Sequence, residues 1–185
     1  FDEMSETLLK FRPNASRVFS TSKRAPVPLS KEAQPKRPPQ LHKSGMGDTW
    51  CDEVDWLYGG VGFGGFNTSK AGGGCACWFA RFQLDYFARS FAPEPLHYSV
   101  AVVDSAGNLI TRVGRYGNED SAGPESRVPL AGDGVGLFHA CYVGTHTDRR
   151  LFISDVGNGR IVSVKLDYHT TRTLPVPEVA AADGE

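Results

Sequence analysis

Short apolar runs alternate with polar positions over the second half of the chain, and this spacing predicts β-strands. Residues 98–103 are mostly apolar and β-branched, residues 104–108 have turn composition, and residues 109–113 continue the apolar pattern. Two such runs joined by a tight turn are typical of a β-hairpin. We therefore expect a hairpin over residues 98–113.

A second hairpin is expected further along the chain. Residues 151–153 form a short apolar run, residues 155–159 are rich in Asp, Asn and Gly, and residues 160–166 alternate apolar and polar side chains. Alternation with a period of two gives a strand one buried face. Residues 170–174 can return as a partner strand. Since no helical periodicity of useful length interrupts these strands, the predicted fold class is all-β.

The first 49 residues differ in composition from the rest. Residues 7–11 are compatible with the start of a short helix, and residues 23–39 contain five prolines and five basic residues. Proline fixes φ and removes a backbone donor, so this segment is predicted to stay out of a central sheet. We expect an extended arm, which is either a solvated linker or a segment that wraps a partner. Lys36 and Arg37 are its candidate partner contacts.

Residues 50–74 are a Gly-rich transition between this arm and the β region. The apolar run at residues 56–58 is predicted to be the last strand of a further β unit. The glycines that follow do not complete a dinucleotide fingerprint, and residues 71–74 lack the G-K-[ST] ending of a phosphate-binding loop. The β region is placed at residues 75–178, and residues 179–185 form a tail.

The β region contains a weak internal repeat. A shift of 63 residues places Asp85 on Asp148 and Asp104 on Asp167. Identities are few, but the order of strand, Asp-containing turn and strand recurs, which indicates repeated β units. Residues 115–135, between the units, are rich in Gly, Pro, Asp and Glu and are expected to be a loop insertion.

One unit resembles the NHL repeat of β-propeller proteins. The family pattern runs from an apolar strand through Asp, Gly-Asn and Arg-Ile to a second apolar strand. The residues that match it in order and spacing are Asp155, Asn158, Arg160 and Ile161. In the preceding unit, residues 93–97 stand at the position of this turn and do not match the family pattern. The resemblance implies two propeller-like blades within residues 75–176.

Two blades do not close a propeller ring, since propellers have about four to eight blades. Two blades leave sheet faces uncovered, so the chain is expected to be part of a longer polypeptide or to be completed by another chain. The alternative is a small β-sheet stack that is not a propeller. The candidate partner-binding residues on the blade flanks are Ile153, Ile161 and Val164.

The polar residues of the two predicted turns are interpreted as structural. The side chains of Asp104 and Asn108, and those of Asp155 and Asn158, are suited to cap nearby backbone N–H groups. Arg160 is expected to pair with a neighbouring acid such as Asp155.

Composition narrows the function classes. The 185 residues include 20 Lys and Arg and 21 Asp and Glu, and the net charge of -1 argues against a dedicated nucleic-acid binder. No stretch reaches the ~20 apolar residues of a membrane-spanning helix. The chain begins at Phe1 without a recognisable signal peptide, so we expect that a leader has been removed or that part of a parent chain is absent. A periplasmic or extracellular location is favoured over a cytoplasmic one.

Cysteine spacing gives the candidate metal site. Cys75 and Cys77 project from the same face of a predicted strand, and Cys141 lies at nearly the same place in the next unit. Buried structural thiols, one disulfide and a soft-metal site are all consistent with this placement. Cys51 has no evident mate in the sequence.

Acidic and histidine residues give two further chemical alternatives. The loop at residues 117–133, with Glu119 and Asp120, offers oxygen ligands for calcium but lacks EF-hand spacing, so a solvated loop is the favoured interpretation and calcium the alternative. Lyases with NHL-like propellers need a His-rich metal centre, and here only His139 and His146 lie near each other in the sequence.

The leading function hypothesis is a non-enzymatic, β-propeller-like interaction or scaffold module that serves as an accessory subunit or fragment of a larger assembly. Its partners are expected to be other protein chains, in a hetero- or homo-oligomer. No catalytic residue and no resident cofactor are predicted. The alternative is part of a metal-dependent propeller enzyme, a lyase or a hydrolase. An electron-transfer role is disfavoured because no C-x-x-C-H haem motif occurs.

Overall fold

The computed structural model describes residues 6–15, 17–23, 25, 27–43, 47–62, 80–121, 125–128 and 134–167. Within these ranges the chain is all-β, as predicted, with four short 3₁₀ turns and no α-helix. No helix of the described part is long and apolar enough to span a membrane. The described ranges contain fourteen strands: β1 (Glu6–Phe11), β2 (Arg17–Ser20), β3 (Leu41–Lys43), β4 (Gly47–Asp52), β5 (Val54–Val61), β6 (Gln83–Leu84), β7 (Ser90–Glu94), β8 (Ser99–Val103), β9 (Leu109–Val113), β10 (Arg115–Tyr116), β11 (Gly136–Leu137), β12 (Ala140–His146), β13 (Arg150–Asp155) and β14 (Arg160–Lys165).

Strands β1 to β5 build two small sheets from the N-terminal third of the chain. β1 pairs antiparallel with β5, and β4 lies between β2 and β3. In place of one extended arm over residues 1–49, three strands and the start of a fourth lie there. In the proline-rich part, residues 27–40 contain a 3₁₀ turn at Lys31–Ala33 and no strand. This agrees with the expectation that the prolines keep the segment out of a sheet.

Strand β1 occupies the residues for which the sequence indicated the start of a helix. Its apolar positions pair with the apolar run of β5, where Leu8 lies opposite Tyr58 and Leu9 lies opposite Leu57. Cross-strand pairs stabilise a sheet, whereas an isolated one-turn helix is unstable in water. Pairing with a distant strand therefore overrides the local preference.

Strands β6 to β9 form a four-stranded antiparallel sheet, here named the first unit. The hairpin expected over residues 98–113 is present as β8 and β9. In its turn, the Asp104 carboxylate accepts hydrogen bonds from the backbone N–H groups of Ala106 and Asn108, both at 2.8 Å. The Asn108 side-chain amide donates to the same carboxylate at 3.0 Å. Both turn residues therefore act as predicted.

Strands β12 to β14 form a three-stranded antiparallel sheet, here named the second unit. β13 and β14 are the second expected hairpin, and they pair from Arg150 opposite Lys165 to Asp155 opposite Arg160. The strand expected at residues 170–174 lies outside the described residues. The connection between the units contains the short parallel pair of β10 and β11.

The first turn of each unit has the same backbone conformation. It is closed by a non-glycine residue with positive φ, Ala88 at 57° in the first unit and Arg149 at 67° in the second. The Ala88 N–H donates to the Asp85 carbonyl at 3.0 Å, and the Arg149 N–H donates to the His146 carbonyl at 3.1 Å. The two turns are therefore equivalent.

The second connection of each unit also matches. A buried carboxylate, Glu94 in the first unit and Asp155 in the second, precedes a 3₁₀ turn that ends in a left-handed residue. The left-handed residues are Tyr98 (φ 53°) and Gly159 (φ 61°). Turn geometry aligns Glu94 with Asp155 and Tyr98 with Gly159. This shift is two residues shorter than the 63-residue shift that residue identities indicated.

The two units pack face to face, and the apolar core lies between them. Phe91, Val100 and Val102 of the first unit and Leu151 and Ile153 of the second are at most 1% exposed and belong to one cluster. Each side chain buried in this way contributes roughly 1.5–3 kcal/mol of transfer free energy. Packing between the units therefore supplies a large part of the fold's stability.

The β1–β5 pair covers the other face of the first unit. The Trp56 indole N–H and the Lys10 ammonium donate to the Ser105 carbonyl at 3.1 and 2.6 Å, and the Tyr58 hydroxyl donates to Glu94 at 2.8 Å. Glu94 lies on the opposite side of β7 from Phe91, because successive strand residues alternate sides. Three of the described sheets therefore stack as layers: the β1–β5 pair, the first unit and the second unit.

Candidate functional site

The outer face of the second unit is uncovered within the described residues and carries large apolar side chains. Ser154 on β13 pairs with Tyr142 on one side and with Ile161 on the other, so the three side chains share a face. Phe152, two residues earlier on β13, lies on the same face and pairs with Ser163. Tyr142 is 48%, Phe152 40% and Ile161 75% exposed. We name Tyr142, Phe152, Ser154, Ile161 and Ser163 the open face.

The internal repeat provides a direct comparison for this open face. Phe152 and Ile161 occupy the positions that Phe91 and Val100 occupy in the first unit, by the offset that aligns Asp155 with Glu94. Phe91 and Val100 are 1% and 0% exposed because the second unit covers them. The same positions are therefore buried in one unit and exposed in the other.

The layer that covers Phe91 and Val100 has a defined character. It is the inner face of the second unit, where Ile153 pairs with Val143 and Val162, and Leu151 pairs with Val164. All five residues either belong to the core cluster or pack against it. An aliphatic, largely β-branched sheet face is thus what this chain uses to cover such positions.

The three blade-flank residues among the predicted partner contacts are divided between the two faces of the second unit. Ile161 lies on the open face, but Ile153 is fully buried and Val164 packs against the core. This corrects the expectation that Ile153 and Val164 lie on an uncovered flank. The reason is register: Ile153 pairs with Val162, whereas Ile161 pairs with Ser154.

Two members of the open face were not anticipated from the sequence. Phe152 stands in the run Leu151-Phe152-Ile153, and Tyr142 lies beside Cys141. Three consecutive apolar residues in a strand indicate that both faces are covered, since alternate residues point to opposite sides. That signal was present in the sequence, but a local pattern does not show which neighbour would cover the second face.

The turn residues of the NHL-like pattern form a buried hydrogen-bond network. Asp155 is 0% exposed, and one of its carboxylate oxygens accepts from the backbone N–H groups of Phe138 and His139 at 3.1 and 2.9 Å. The other oxygen accepts from the Asn158 amide at 2.6 Å and from the Arg160 guanidinium at 3.4 Å. The predicted pairing of Arg160 with Asp155 is confirmed.

The same network ties the second unit to the connection that precedes it. The Asn158 amide donates to the Gly117 carbonyl at 2.8 Å, and Arg160 donates to the Gly136 carbonyl. Because these contacts lie within the chain and Asp155 is inaccessible to solvent, the three side chains stabilise the fold. We name Asp155, Asn158 and Arg160 the clamp.

A different network occupies the equivalent place in the first unit. The Glu94 carboxylate is 1% exposed and accepts hydrogen bonds from Tyr58 at 2.8 Å, Ser99 at 3.2 Å and Arg112 at 2.7 Å. Its partners come from β5, β8 and β9, so sequence spacing carries no signal for it. The ion pair with Arg112 neutralises the buried charge.

This environment predicts a stability change at alkaline pH. Burial, reinforced by the Glu94 carboxylate, raises the pKa of Tyr58 to about 12, above the ordinary value of about 10. A raised pKa in the folded state means that the stability contributed by this phenol is complete below about pH 10 and is lost towards pH 12. In urea titrations across this window, Tyr58→Phe should lose stability less steeply than the wild type. Tyr86→Phe, at a 91% exposed tyrosine, should keep the wild-type slope; equal slopes for all three proteins would contradict the assignment.

The basic residues of the arm are placed unequally. The Arg37 guanidinium donates to the carbonyl of Cys51 at 3.3 Å and forms an ion pair with Asp52, while the Arg37 carbonyl accepts from the Trp50 indole at 2.9 Å. Lys36 is exposed. Arg37 therefore holds the proline-rich segment against β4, and a partner contact remains a prediction for Lys36 and Arg37.

The predicted cysteine cluster is described only in part. Cys75 and Cys77 lie outside the described residues, so their approach to Cys141 stays a prediction. Cys141 and Cys51 are both buried, and burial raises the pKa of each thiol. No group of three or more potential metal-ligating side chains occurs in the part of the chain that the structure describes.

The predicted calcium loop and the histidine pair are also described in part. Glu119 and Asp120 are exposed residues of the 3₁₀ turn Glu119–Ser121, where the Asn118 side chain accepts from the Asp120 N–H at 3.1 Å. His139 precedes β12 and is buried, which lowers its pKa, whereas His146 ends the same strand and is exposed. The two histidines therefore lie at opposite ends of a strand.

Comparison of the chain with protein-family models, with curated proteins and with solved structures found no match. The candidate function therefore depends on the geometry and chemistry of the residues themselves.

Proposed function

We propose that the chain is a non-enzymatic, β-propeller-like interaction module whose open face associates with another β-sheet. The observation that carries this proposal is the contrast between equivalent positions of the two units. Phe91 and Val100 are at most 1% exposed, whereas Phe152 and Ile161 are 40% and 75% exposed. Burial of such side chains is worth roughly 1.5–3 kcal/mol each, so the open face gains free energy when a sheet covers it.

Two features support a propeller-like arrangement of the layers. Arg81, just before β6, forms a parallel bridge with Tyr142 near the start of β12, and its N–H donates to the Cys141 carbonyl at 2.9 Å. Parallel contact between the first strands of successive antiparallel sheets fits blades arranged around an axis. The resemblance of residues 151–164 to an NHL repeat adds Asp155, Asn158 and Arg160 as the clamp of one blade.

For the isolated chain, we assign the covering layer to a second copy. The five open-face residues are uncharged, but Arg150 and Lys165 lie beside them on the same face, where Arg150 donates to Ser163 at 2.9 Å. Two copies can therefore meet at the apolar centre in an orientation that keeps these cations apart. A two-fold contact places the same patch on both partners, and Tyr142, Phe152 and Ile161 supply its apolar centre. In a larger assembly, the aliphatic face of a further blade would take the same place.

Sedimentation velocity tests this proposal across the micromolar concentration range. The wild type should associate reversibly, and Ile161→Asp should weaken association at least tenfold, since a carboxylate would be desolvated at the contact. Ile110→Asp is the matched control, because Ile110 is also an exposed isoleucine, at 49%, but lies on β9 of the first unit. A wild type that stays monomeric over this range, or equal effects of the two variants, would overturn the proposal.

A further inference from the structure

A cavity of about 330 Å³ lies where the first turns of the two units meet. Its apolar lining comes from the buried Phe91 and Leu166, which form the inner wall, and from the half-exposed Leu84. The equivalent turn residues Arg89 and Arg150 line it from the two sides. The volume is within the range of sites for small organic ligands, and a boundary between packed units is a common place for them.

Three of the described arginines line this cavity, and two of them, Arg89 and Arg150, are paired with carboxylates. Arg89 is paired with Asp85 through an Nε–Oδ2 contact of 2.7 Å. Arg150 lies 3.3 Å from the Asp148 carboxylate, which also contacts His146 at 2.7 Å.

Arg149, which also lines the cavity, differs from these paired groups. Among the described residues its guanidinium has no hydrogen bond or ion pair, although its backbone N–H and carbonyl are both bonded. Its φ of 67° is unusual for a non-glycine residue. The cavity thus presents one available cation beside two neutralised ones.

The rim of the cavity carries two exposed aromatic rings. Tyr86 and Phe87 are 91% and 70% exposed and meet edge to face, with ring centroids 5.4 Å apart. The Arg89 guanidinium lies 5.2 Å from the Phe87 centroid. Rings held in this way at low conformational cost can pack against a flat apolar group.

We propose that this cavity binds a small organic monocarboxylate with a flat apolar body. The carboxylate pairs with Arg149, since guanidinium and carboxylate match as a bidentate pair. The apolar body packs between the inner wall and the Tyr86–Phe87 rim. A phosphate dianion fits less well, because one available guanidinium among the described residues faces it and the Asp85 carboxylate also lines the cavity. Since Tyr142, Phe152 and Ile161 do not line the cavity, a ligand there leaves the apolar centre of the open face uncovered, although Arg150 both lines the cavity and donates to Ser163 at 2.9 Å.

NMR titration of the isotopically labelled chain with 3-phenylpropionate tests the site, with the uncharged 3-phenylpropionamide as the comparison ligand. The acid should give saturable shifts at residues 85–89 and 146–150 and should bind at least tenfold more tightly than the amide. Arg149→Gln should remove most of this preference, whereas Arg127→Gln, at an exposed arginine outside the cavity, should retain it.

Several outcomes would overturn this proposal. Equal affinity for acid and amide, an unchanged preference in Arg149→Gln, or shifts that do not saturate would each do so. Arg149→Gly provides a second test, because glycine suits the positive φ of this position and the fold should be retained. It should lose acid binding as Arg149→Gln does, and retained acid binding in this variant would contradict the role of the guanidinium.

Discussion

Asp155→Ala is expected to destabilise the chain by about 3–5 kcal/mol, because several buried hydrogen-bond donors lose their acceptor, at about 1–3 kcal/mol each. The substitution leaves the backbone N–H groups of Phe138 and His139 without the acceptor that now lies 3.1 and 2.9 Å away. It also removes the carboxylate that compensates Arg160. A loss of this size is comparable to much of the stability of a small domain, so the variant should be largely unfolded.

Urea denaturation with matched variants measures this effect. Asp155→Asn keeps the shape and part of the hydrogen bonding and should fall between the wild type and Asp155→Ala. Asp104→Ala is the control, because Asp104 caps a turn in the first unit with similar local geometry but is not buried. If Asp155→Ala cost no more than Asp104→Ala, the buried clamp would not stabilise the second unit.

Ile153→Asp should unfold the chain, whereas Ile161→Asp should leave the monomer folded. Ile153 is 0% exposed in the core between the units, so a charge there adds a desolvation penalty to the roughly 2–5 kcal/mol that Ile→Ala costs. Ile161 is 75% exposed, and its replacement should change monomer stability by no more than about 1 kcal/mol.

Circular dichroism and urea titration of both variants, at concentrations where the wild type is dissociated, separate these two effects. The expected result is loss of cooperative unfolding in Ile153→Asp and a wild-type transition in Ile161→Asp. Similar stability losses in both variants would show that the two residues do not lie on opposite faces of the sheet.

Local chemistry was sufficient to predict the two hairpins. The turn at residues 104–108 and the pairing of Asp155 with Arg160 both depend on residues close in sequence, and the structure confirms both. Turn residues and period-two alternation act over short distances, so they can be interpreted without knowledge of the rest of the fold.

Features that depend on distant pairing could not be predicted in the same way. Strand β1 forms because β5 lies beside it, and the side occupied by Ile153 depends on its register with Val162. The buried Glu94 network joins three strands. A shift of one residue in register exchanges the faces of a strand, so the apolar pattern alone predicts a buried side without showing which neighbour covers it.

Carbene footprinting of the wild-type chain, at dilute and concentrated conditions, tests most directly whether the open face is the surface that becomes covered. The reagent labels exposed side chains, and mass spectrometry locates the label on Tyr142, Phe152 and Ile161 and, as an internal reference, on Ile110. We predict that labelling of the three open-face residues falls as the chain associates, while labelling of Ile110 stays constant. Unchanged labelling of the open face at concentrations where the chain is associated would contradict the proposed docking surface.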